Sequence, residues 1–285
     1  MVRVTAGVEA HTHEYIATAH EDQKFGFSIA GGQASAALQQ CQDAEWLDLL
    51  GIHSHIGSQI FEPDAFEVAA RRTLRLHAEF ARANGVELPE LDLGGGFGIA
   101  YTSADTPSTP QALATALRGI IDAECAALGV AVPHLSIEPG RAISGPSAFA
   151  LYRVGTVKQV LLDGGTSRLY VAVDGGMSDN IRTALYAAEY SATLASRRSD
   201  APPALARVVG KHCEGGDILV RDEFLPADVT DGDLIAVPAS GAYSRSMASN
   251  YNHVPRPPVV AVRDGEVATL IRRETVADLL ALDVS

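Results

Sequence analysis

The sequence predicts two regions of different fold class, an α/β region over residues 1–147 and a mostly antiparallel β domain over residues 148–285. In the first region, apolar β-branched runs alternate with amphipathic helical patterns, which indicates βαβ units and a parallel sheet. After about Gly145 the helical patterns become rare. Short alternating runs replace them, separated by turn signals such as Asp163-Gly164-Gly165, and this pattern is typical of antiparallel strands.

Each element of the first region has its own local signal. The predicted strands are the apolar runs Val2–Val8, Leu49–Ile56, Leu91–Leu93 and Leu135–Ile137. The clearest helix is Ala65–Ala83, where apolar residues repeat at helical spacing opposite charged ones. Thr109-Pro110 predicts the start of a second helix, Gln111–Leu128, because Thr is a favourable N-cap and Pro fits the first turn. A third helix opens at Ala34–Leu38.

The number of predicted units leaves two architectures open. A complete β/α barrel has eight strands and usually about 250 residues. The first region supplies only four β/α units, which fits either an open four-unit sheet or the second half of a barrel. In the second region the predicted strands are Leu151–Val157, Tyr170–Val173, Ala206–Val209, Leu234–Pro238, Val259–Val262 and Ala268–Arg272, followed by a closing helix at Thr275–Leu282.

Composition excludes several classes of function. The 285 residues have a formal net charge of -13, which argues against nucleic acid or an anionic membrane as a partner. The three cysteines, Cys41, Cys125 and Cys213, are far apart and odd in number, which excludes a disulfide framework and a CxxC zinc site. No apolar run reaches membrane-spanning length and no signal-peptide pattern follows Met1. We therefore expect a cytoplasmic protein.

Residues able to do chemistry follow the second, third and fourth predicted strands. These segments are His53-Ser54-His55-Ile56-Gly57-Ser58, Asp92-Leu93-Gly94-Gly95-Gly96-Phe97-Gly98 and Glu138-Pro139-Gly140-Arg141. Taken singly, they are explained by a tight turn, a buried histidine and a surface ion pair. Because the C-terminal ends of barrel strands share one face, together they favour a single site. Bare glycine N–H groups bind phosphate, imidazole offers a flat face to a planar ring, a carboxylate keeps a pyridinium nitrogen protonated, and arginine pairs with an anion.

The pair His53-Ser54-His55 also permits a metal interpretation, since such pairs open the sites of many hydrolytic barrels. Those sites need further histidine or aspartate ligands at later strand ends. The later strand ends here supply glycines and a Glu-Pro-Gly-Arg turn instead. We therefore expect no metal, and a metal hydrolase remains an alternative that would require zinc in the purified protein.

In this order the three segments resemble the fold-type III pyridoxal-phosphate (PLP) decarboxylases, whose barrel is alanine-racemase-like. The second region resembles the diaminopimelate decarboxylases rather than their ornithine or arginine relatives, through Asp174–Tyr186, Gly210–Asp217, Ser240–Tyr243 and Ser249–Asn252. Thr183 departs from the family, which often has Pro there, and touches no named role. The resemblance covers nearly the whole chain. It implies the C-terminal half of an alanine-racemase-like (β/α)8 barrel followed by a mostly antiparallel β domain.

The resemblance also implies roles for individual residues. His55 would stack on the cofactor ring, Glu138 would pair with the ring nitrogen, and Cys213 would be the proton donor. The cofactor-binding set is His55, Ser58, Gly94, Gly95, Gly96, Glu138, Gly140, Arg141 and Tyr243. The substrate-binding set is Arg141, Arg182, Tyr186, Glu214 and Tyr243. Chemistry agrees with these roles, because PLP is an electron sink and a positioned thiol returns a proton. Cys213 taken alone is typical of a buried structural cysteine.

The implied activity is the decarboxylation of meso-2,6-diaminopimelate to L-lysine and CO2, in a homodimer with a shared active site. The alternative is a non-catalytic homologue that pairs with a full-length decarboxylase and regulates it. Lys24, Lys158 and Lys211 are the only lysines, and none lies in the Tyr-Ala-x-Lys context of the lysine that holds the cofactor in the family. The resemblance therefore implies a truncated, inactive chain from a partial gene, a mis-called start or a decayed copy.

Overall fold

The computed structural model describes residues 1–7 and 24–284, which form two compact units. The first unit comprises Met1–Ala100 and Ala104–Ile143, and the second comprises Tyr101–Ser103 and Ser144–Ser285. The end of the first predicted strand, at Val8, lies outside the described residues. Within the described ranges, no helix combines the length and the apolar character needed to cross a membrane.

A parallel sheet of five strands forms the centre of the first unit. The strands are β1 (Val2–Thr5), β2 (Phe27–Ser28), β3 (Gly51–Ser54), β4 (Glu90–Asp92) and β5 (His134–Ser136), in the spatial order β2-β1-β3-β4-β5. The register pairs Ile52 with Leu91 and Leu91 with Leu135. Because the strands are parallel, the segments after β3, β4 and β5 all leave from the same edge. The sequence predicts four of these strands and not β2, which is too short for a periodic pattern.

The helices of the first unit are α1 (Gln33–Asp43), α2 (Asp64–Asn84), α3 (Pro110–Leu128) and α4 (Gly140–Ser144), whose last residue belongs to the second unit. The predicted start of α3 is confirmed, because the Thr109 side chain accepts a hydrogen bond from the N–H of Ala112 at 3.2 Å. Both long helices end at a glycine in the left-handed conformation, Gly85 with φ 70° and Gly129 with φ 68°. These caps stop the helices so that the chain returns to the sheet.

The core of the first unit is formed by the sheet and its helices. Its fully buried large side chains are Leu38, Ile52, Ile56, Phe66, Leu74, Leu91, Leu93 and Ile121. Phe66 of α2 stacks on Phe97, with ring centroids 4.8 Å apart and planes 13° from parallel. This contact fixes the glycine-rich segment after β4 against the core.

The second unit is built mainly of antiparallel strands. They are β6 (Ala150–Leu161), β7 (Ser167–Val173), β8 (Thr193–Leu194), β9 (Pro203–Val209), β10 (Ile218–Pro226), β11 (Leu234–Val237), β12 (Val259–Arg263) and β13 (Glu266–Ile271). The short helices are α5 (Arg182–Tyr186), α6 (Ser244–Met247) and α7 (Val276–Leu280). Six strands form one sheet in the order β10-β9-β7-β6-β11-β8, in which only β7 and β9 pair in parallel, and β12 pairs with β13.

The strand β10 is the main element that the sequence does not predict. Its pairing with β9 shifts register between Ile218 and Val220 and again between Val220 and Glu223. Such irregularities break the period of two on which strand prediction depends. The predicted closing helix is confirmed but is shorter at its end, since α7 stops at Leu280, and Thr275 and Asp278 form a capping box at its start.

Candidate active site

Three glycines bring the segments after β3, β4 and β5 into direct contact. A Cβ on Gly94 would lie 2.3 Å from the carbonyl oxygen of Ser54, and a Cβ on Gly95 would lie 2.4 Å from that of Glu138. Gly96 has φ 103°, and its Cβ would lie 2.5 Å from the carbonyl oxygen of Gly57. No side chain fits at these distances. The glycine-rich segment is therefore more than a turn, because it is where the three segments touch.

His55 is held by this glycine segment. The backbone N–H of Gly95 donates to Nδ1 of His55 at 3.1 Å. Because a backbone N–H only donates, Nδ1 accepts, and the neutral ring carries its proton on Nε2. Burial, aided by the positive charge of Arg3, lowers the pKa of His55 below its ordinary value of 6.5. The site therefore holds a neutral imidazole in a fixed orientation near pH 7.

Glu138 is anchored through its backbone while its side chain stays accessible. Its N–H donates to the carbonyl oxygen of Gly94 at 2.9 Å. Its Oε2 lies 3.1 Å from Nε2 of His53, and 56% of its side chain is exposed. Asp92 lies close by and accepts the N–H of Gly94 at 2.7 Å through Oδ1. Three possible ligand atoms lie within 4.8 Å of one another, one each from His53, Asp92 and Glu138.

Arg141 and Ser58 contact each other in the same unit. Nη2 of Arg141 donates to Oγ of Ser58 at 2.6 Å, and Arg141 is 8% exposed. The N–H of Gly140 donates to the carbonyl oxygen of Glu138 at 2.9 Å, which forms the tight turn that begins α4. The structure thus joins two residues of the predicted cofactor-binding set from the ends of two strands.

Arg182 of the second unit lies among tyrosines. Its Nη1 donates to the hydroxyl of Tyr190 at 2.6 Å, and the residue is 5% exposed. Its Cζ lies 4.8 Å from the ring centroid of Tyr101 and 5.7 Å from those of Tyr190 and Tyr243. The structure therefore brings together the predicted Arg182 and Tyr243, while Tyr186 ends the same short helix, α5. The sequence does not predict the contacts of Tyr101 and Tyr190 with Arg182, because no spacing rule marks a tyrosine that meets an arginine distant in the chain.

Cys213 and Glu214 lie in the loop between β9 and β10, and both are exposed. The interpretation of Cys213 as a buried structural cysteine is therefore wrong. Cys125 does fit that description, since it is buried and its burial raises the pKa of its thiol. Cys213 therefore contributes nothing to the core of the second unit.

The residues of the first unit fit a planar cofactor that carries a phosphate. The hydroxyl of Ser58, next to the guanidinium of Arg141, is a hydrogen-bonding group of the kind that binds phosphate. The oriented imidazole of His55 and the accessible carboxylate of Glu138 suit a flat ring with a basic nitrogen. The contact of His53 with Glu138 is not predictable from the sequence, since 85 residues separate them.

Comparison with known families agrees with this fit. Residues 1–145 match the model of the pyridoxal-dependent decarboxylase pyridoxal binding domain, and residues 83–241 match that of the pyridoxal-dependent decarboxylase C-terminal sheet domain. The chain belongs to the pyridoxal-dependent decarboxylase family.

Among individual proteins, the chain is similar to diaminopimelate decarboxylases. It is 54% identical to that of Mycobacterium tuberculosis H37Rv and 44% identical to that of Bacillus subtilis, in each case over 100% of this chain and 64% of the relative. A crystal structure of the M. jannaschii enzyme with L-lysine matches with TM-score 0.87 and 31% identity, covering 99% of this chain and 63% of that one. The chain thus spans less than two thirds of these relatives. The predicted fold class, part of a β/α barrel followed by a mostly antiparallel β domain, is confirmed.

Proposed function

We propose that this chain supplies cofactor-binding, substrate-binding and proton-donating residues to the PLP-dependent decarboxylation of meso-2,6-diaminopimelate to L-lysine and CO2. The observation that carries the proposal is the meeting of Gly95, His55 and Glu138 at one sheet edge. The similarity of the chain to diaminopimelate decarboxylases supports diaminopimelate as the substrate.

The residues of the first unit would hold the cofactor. The phosphate would be held by Ser58, Gly95 and the turn at Gly140, and Gly94, Gly96 and Arg141 would complete the cofactor-binding set. The neutral ring of His55 would lie against the pyridine ring, and Glu138 would hold the proton of the ring nitrogen. When bound, PLP supplies the electron sink that accepts the electron pair left by departing CO2. Glu138 supports this chemistry because a protonated ring nitrogen strengthens the sink.

The residues of the second unit would hold the substrate and return a proton. Arg182 and Tyr186 would bind the distal carboxylate, since guanidinium groups pair with carboxylates in fixed geometry. Glu214 would meet the distal ammonium, and Tyr243 would cover the substrate. Cys213 would deliver a proton from Sγ to the carbon that lost CO2. Its exposure supports this role, because a proton donor must reach the ligand.

We further propose a homodimer with a shared active site, and a cytoplasmic setting. The cytoplasmic setting is supported by Cys41, Cys125 and Cys213, all of which are free thiols, as expected in a reducing compartment.

The experiment that tests the function is complementation. The chain is mixed with full-length M. tuberculosis diaminopimelate decarboxylase in which the cysteine aligned with Cys213 is replaced by alanine, and CO2 release from diaminopimelate is measured. We expect the mixture to regain activity, because Cys213 supplies the missing thiol. The chain alone should release no CO2, since none of its lysines lies in a Tyr-Ala-x-Lys context. Cys213→Ala in the chain should abolish rescue, and equal rescue by both chains would refute the role of Cys213.

A further inference from the structure

Asp217 joins two segments that are distant in sequence. Its Oδ1 accepts the backbone N–H of Met177 at 2.6 Å, and its Oδ2 accepts the backbone N–H of His212 at 2.7 Å. Asp217 is only 4% exposed. Both bonds are charge-assisted when the carboxylate is ionised, which is the stronger class of hydrogen bond. One buried carboxylate therefore links the turn after β7 to the loop after β9.

Two glycines make room for this carboxylate. A Cβ on Gly176 would lie 2.7 Å from Oδ1 of Asp217, and a Cβ on Gly210 would lie 2.2 Å from Oδ2. Neither glycine adopts a positive φ, so the backbone conformation does not require glycine at these positions. The nearby carboxylate of Asp217 does require glycine at both positions, because it occupies the space that a Cβ would need.

Further contacts reinforce the same junction. The N–H of Lys211 donates to the carbonyl oxygen of Gly175 at 3.1 Å, and Nε2 of His212 lies 2.8 Å from Oγ of Ser178. Within the loop, the N–H of Asp217 donates to the carbonyl oxygen of Glu214 at 3.0 Å. The loop is therefore closed on itself and fastened to the turn at several points.

The two joined segments hold different parts of the proposed substrate site. The turn after β7 leads directly into α5, which begins at Arg182 and ends at Tyr186. The loop holds the exposed Cys213 and Glu214. Cys213 lies in a loop that contains no regular strand or helix, so its position depends on the hydrogen bonds that hold the loop.

We propose that Asp217 is a positioning residue, which fixes the Cys213–Glu214 loop against the turn that leads to Arg182. The chemical role of the loop rests on the proposed function, whereas the contacts that hold the loop do not depend on it. The contacts can therefore be tested in the chain without any measurement of decarboxylation, and failure of the complementation experiment would leave this result intact.

The test replaces Asp217 by Asn in the 285-residue chain. The asparagine NH2 would face one of the two backbone N–H groups, donor against donor. We expect hydrogen exchange of the Met177 and His212 amides to become at least about tenfold faster. A trifluoroacetonyl label on Cys213, in a Cys41→Ser background, should show a shifted or broadened 19F resonance.

The matched control is Asp233→Asn. Asp233 is also buried in the second unit, at 6% exposure, but it holds Arg197. This variant should lose stability while the Met177 and His212 amides and the 19F resonance stay as in the wild type, which separates positioning from a general loss of stability. Wild-type exchange and a wild-type 19F resonance in Asp217→Asn would overturn the proposal.

A wild-type measurement decides the case if Asp217→Asn does not fold. The amides of Met177 and His212 should then exchange at least about tenfold more slowly than that of Gly215, an exposed residue of the same loop. Equal rates at the three amides would refute the proposal.

Discussion

Nε2 of His53 lies 3.1 Å from Oε2 of Glu138, although their strands are separated in the sheet by β4. The His53 side chain is 17% exposed and that of Glu138 is 56% exposed. His53 is therefore the more buried partner, and Glu138 remains accessible. The hydrogen bond from His53 restricts the rotation of the Glu138 carboxylate. It leaves the exposed side of that carboxylate available to a ligand.

The first prediction is that His53 contributes to PLP affinity through Glu138. His53→Ala should weaken PLP binding to the chain about fivefold, since an average hydrogen bond contributes about 1 kcal/mol. His53→Gln, which keeps a side-chain N–H donor, should recover part of the loss. Equilibrium dialysis measures both. His134→Ala is the control, because His134 faces Glu90 at 3.7 Å on the exposed surface, and an equal loss in that variant would contradict the prediction.

The second prediction is that the purified chain holds no stoichiometric zinc. Ligand atoms of His53, Asp92 and Glu138 converge within 4.8 Å, and three protein ligands are the number found in catalytic zinc sites. All three residues already have hydrogen-bonding partners, since Asp92 accepts the N–H of Gly94 and His53 contacts Glu138. Elemental analysis after dialysis is the measurement. One equivalent of zinc in the wild type that is lost in His53→Ala would favour a metal site instead.

The third prediction compares two glycines. Gly95→Ala should destabilise the chain by about 1–3 kcal/mol, because its Cβ would lie 2.4 Å from the carbonyl oxygen of Glu138. It should also abolish measurable PLP binding. Gly119→Ala, in α3 with no atom within 4 Å of the added Cβ, should raise stability by about 0.4–1 kcal/mol. Thermal denaturation measures both stability changes, and PLP binding that survives in Gly95→Ala would contradict the proposed role of Gly95 in cofactor binding.

The site illustrates which features a sequence reveals. The glycines and His55 were predicted because contiguous motifs at strand ends mark them, and parallel pairing of β3, β4 and β5 brings these motifs together. The contacts of His53 with Glu138 and of Arg182 with Tyr190 were not predicted. They depend on side-chain directions that only the folded chain fixes, and no local period reports them.

The fourth prediction concerns pH. Burial lowers the pKa of both His55 and His77 below 6.5. Between the lowered value and 6.5 the unfolded chain binds more protons than the folded chain, so stability falls as pH falls through that window. The melting temperature should therefore drop from about pH 7.5 to about pH 5.5. His77→Gln should reduce this drop, whereas the exposed His134→Gln should not. An unchanged pH dependence in His77→Gln would count against burial as the cause.

The last prediction concerns Tyr190, whose hydroxyl accepts Nη1 of Arg182 at 2.6 Å. Burial raises the pKa of Tyr190, so the phenol stays protonated at neutral pH. Tyr190→Phe removes an acceptor from a buried cation and should destabilise the chain by about 1–3 kcal/mol. Because Arg182 is proposed to bind the distal carboxylate, diaminopimelate should bind about tenfold more weakly. L-lysine, which keeps that carboxylate, should weaken by a similar factor, whereas 1,5-diaminopentane, which has no carboxylate, should bind as before. Isothermal titration of the three ligands measures this difference, with Tyr170→Phe as the control. Equal weakening of all three ligands would exclude Arg182 as the carboxylate anchor, because an effect on folding alone does not distinguish them.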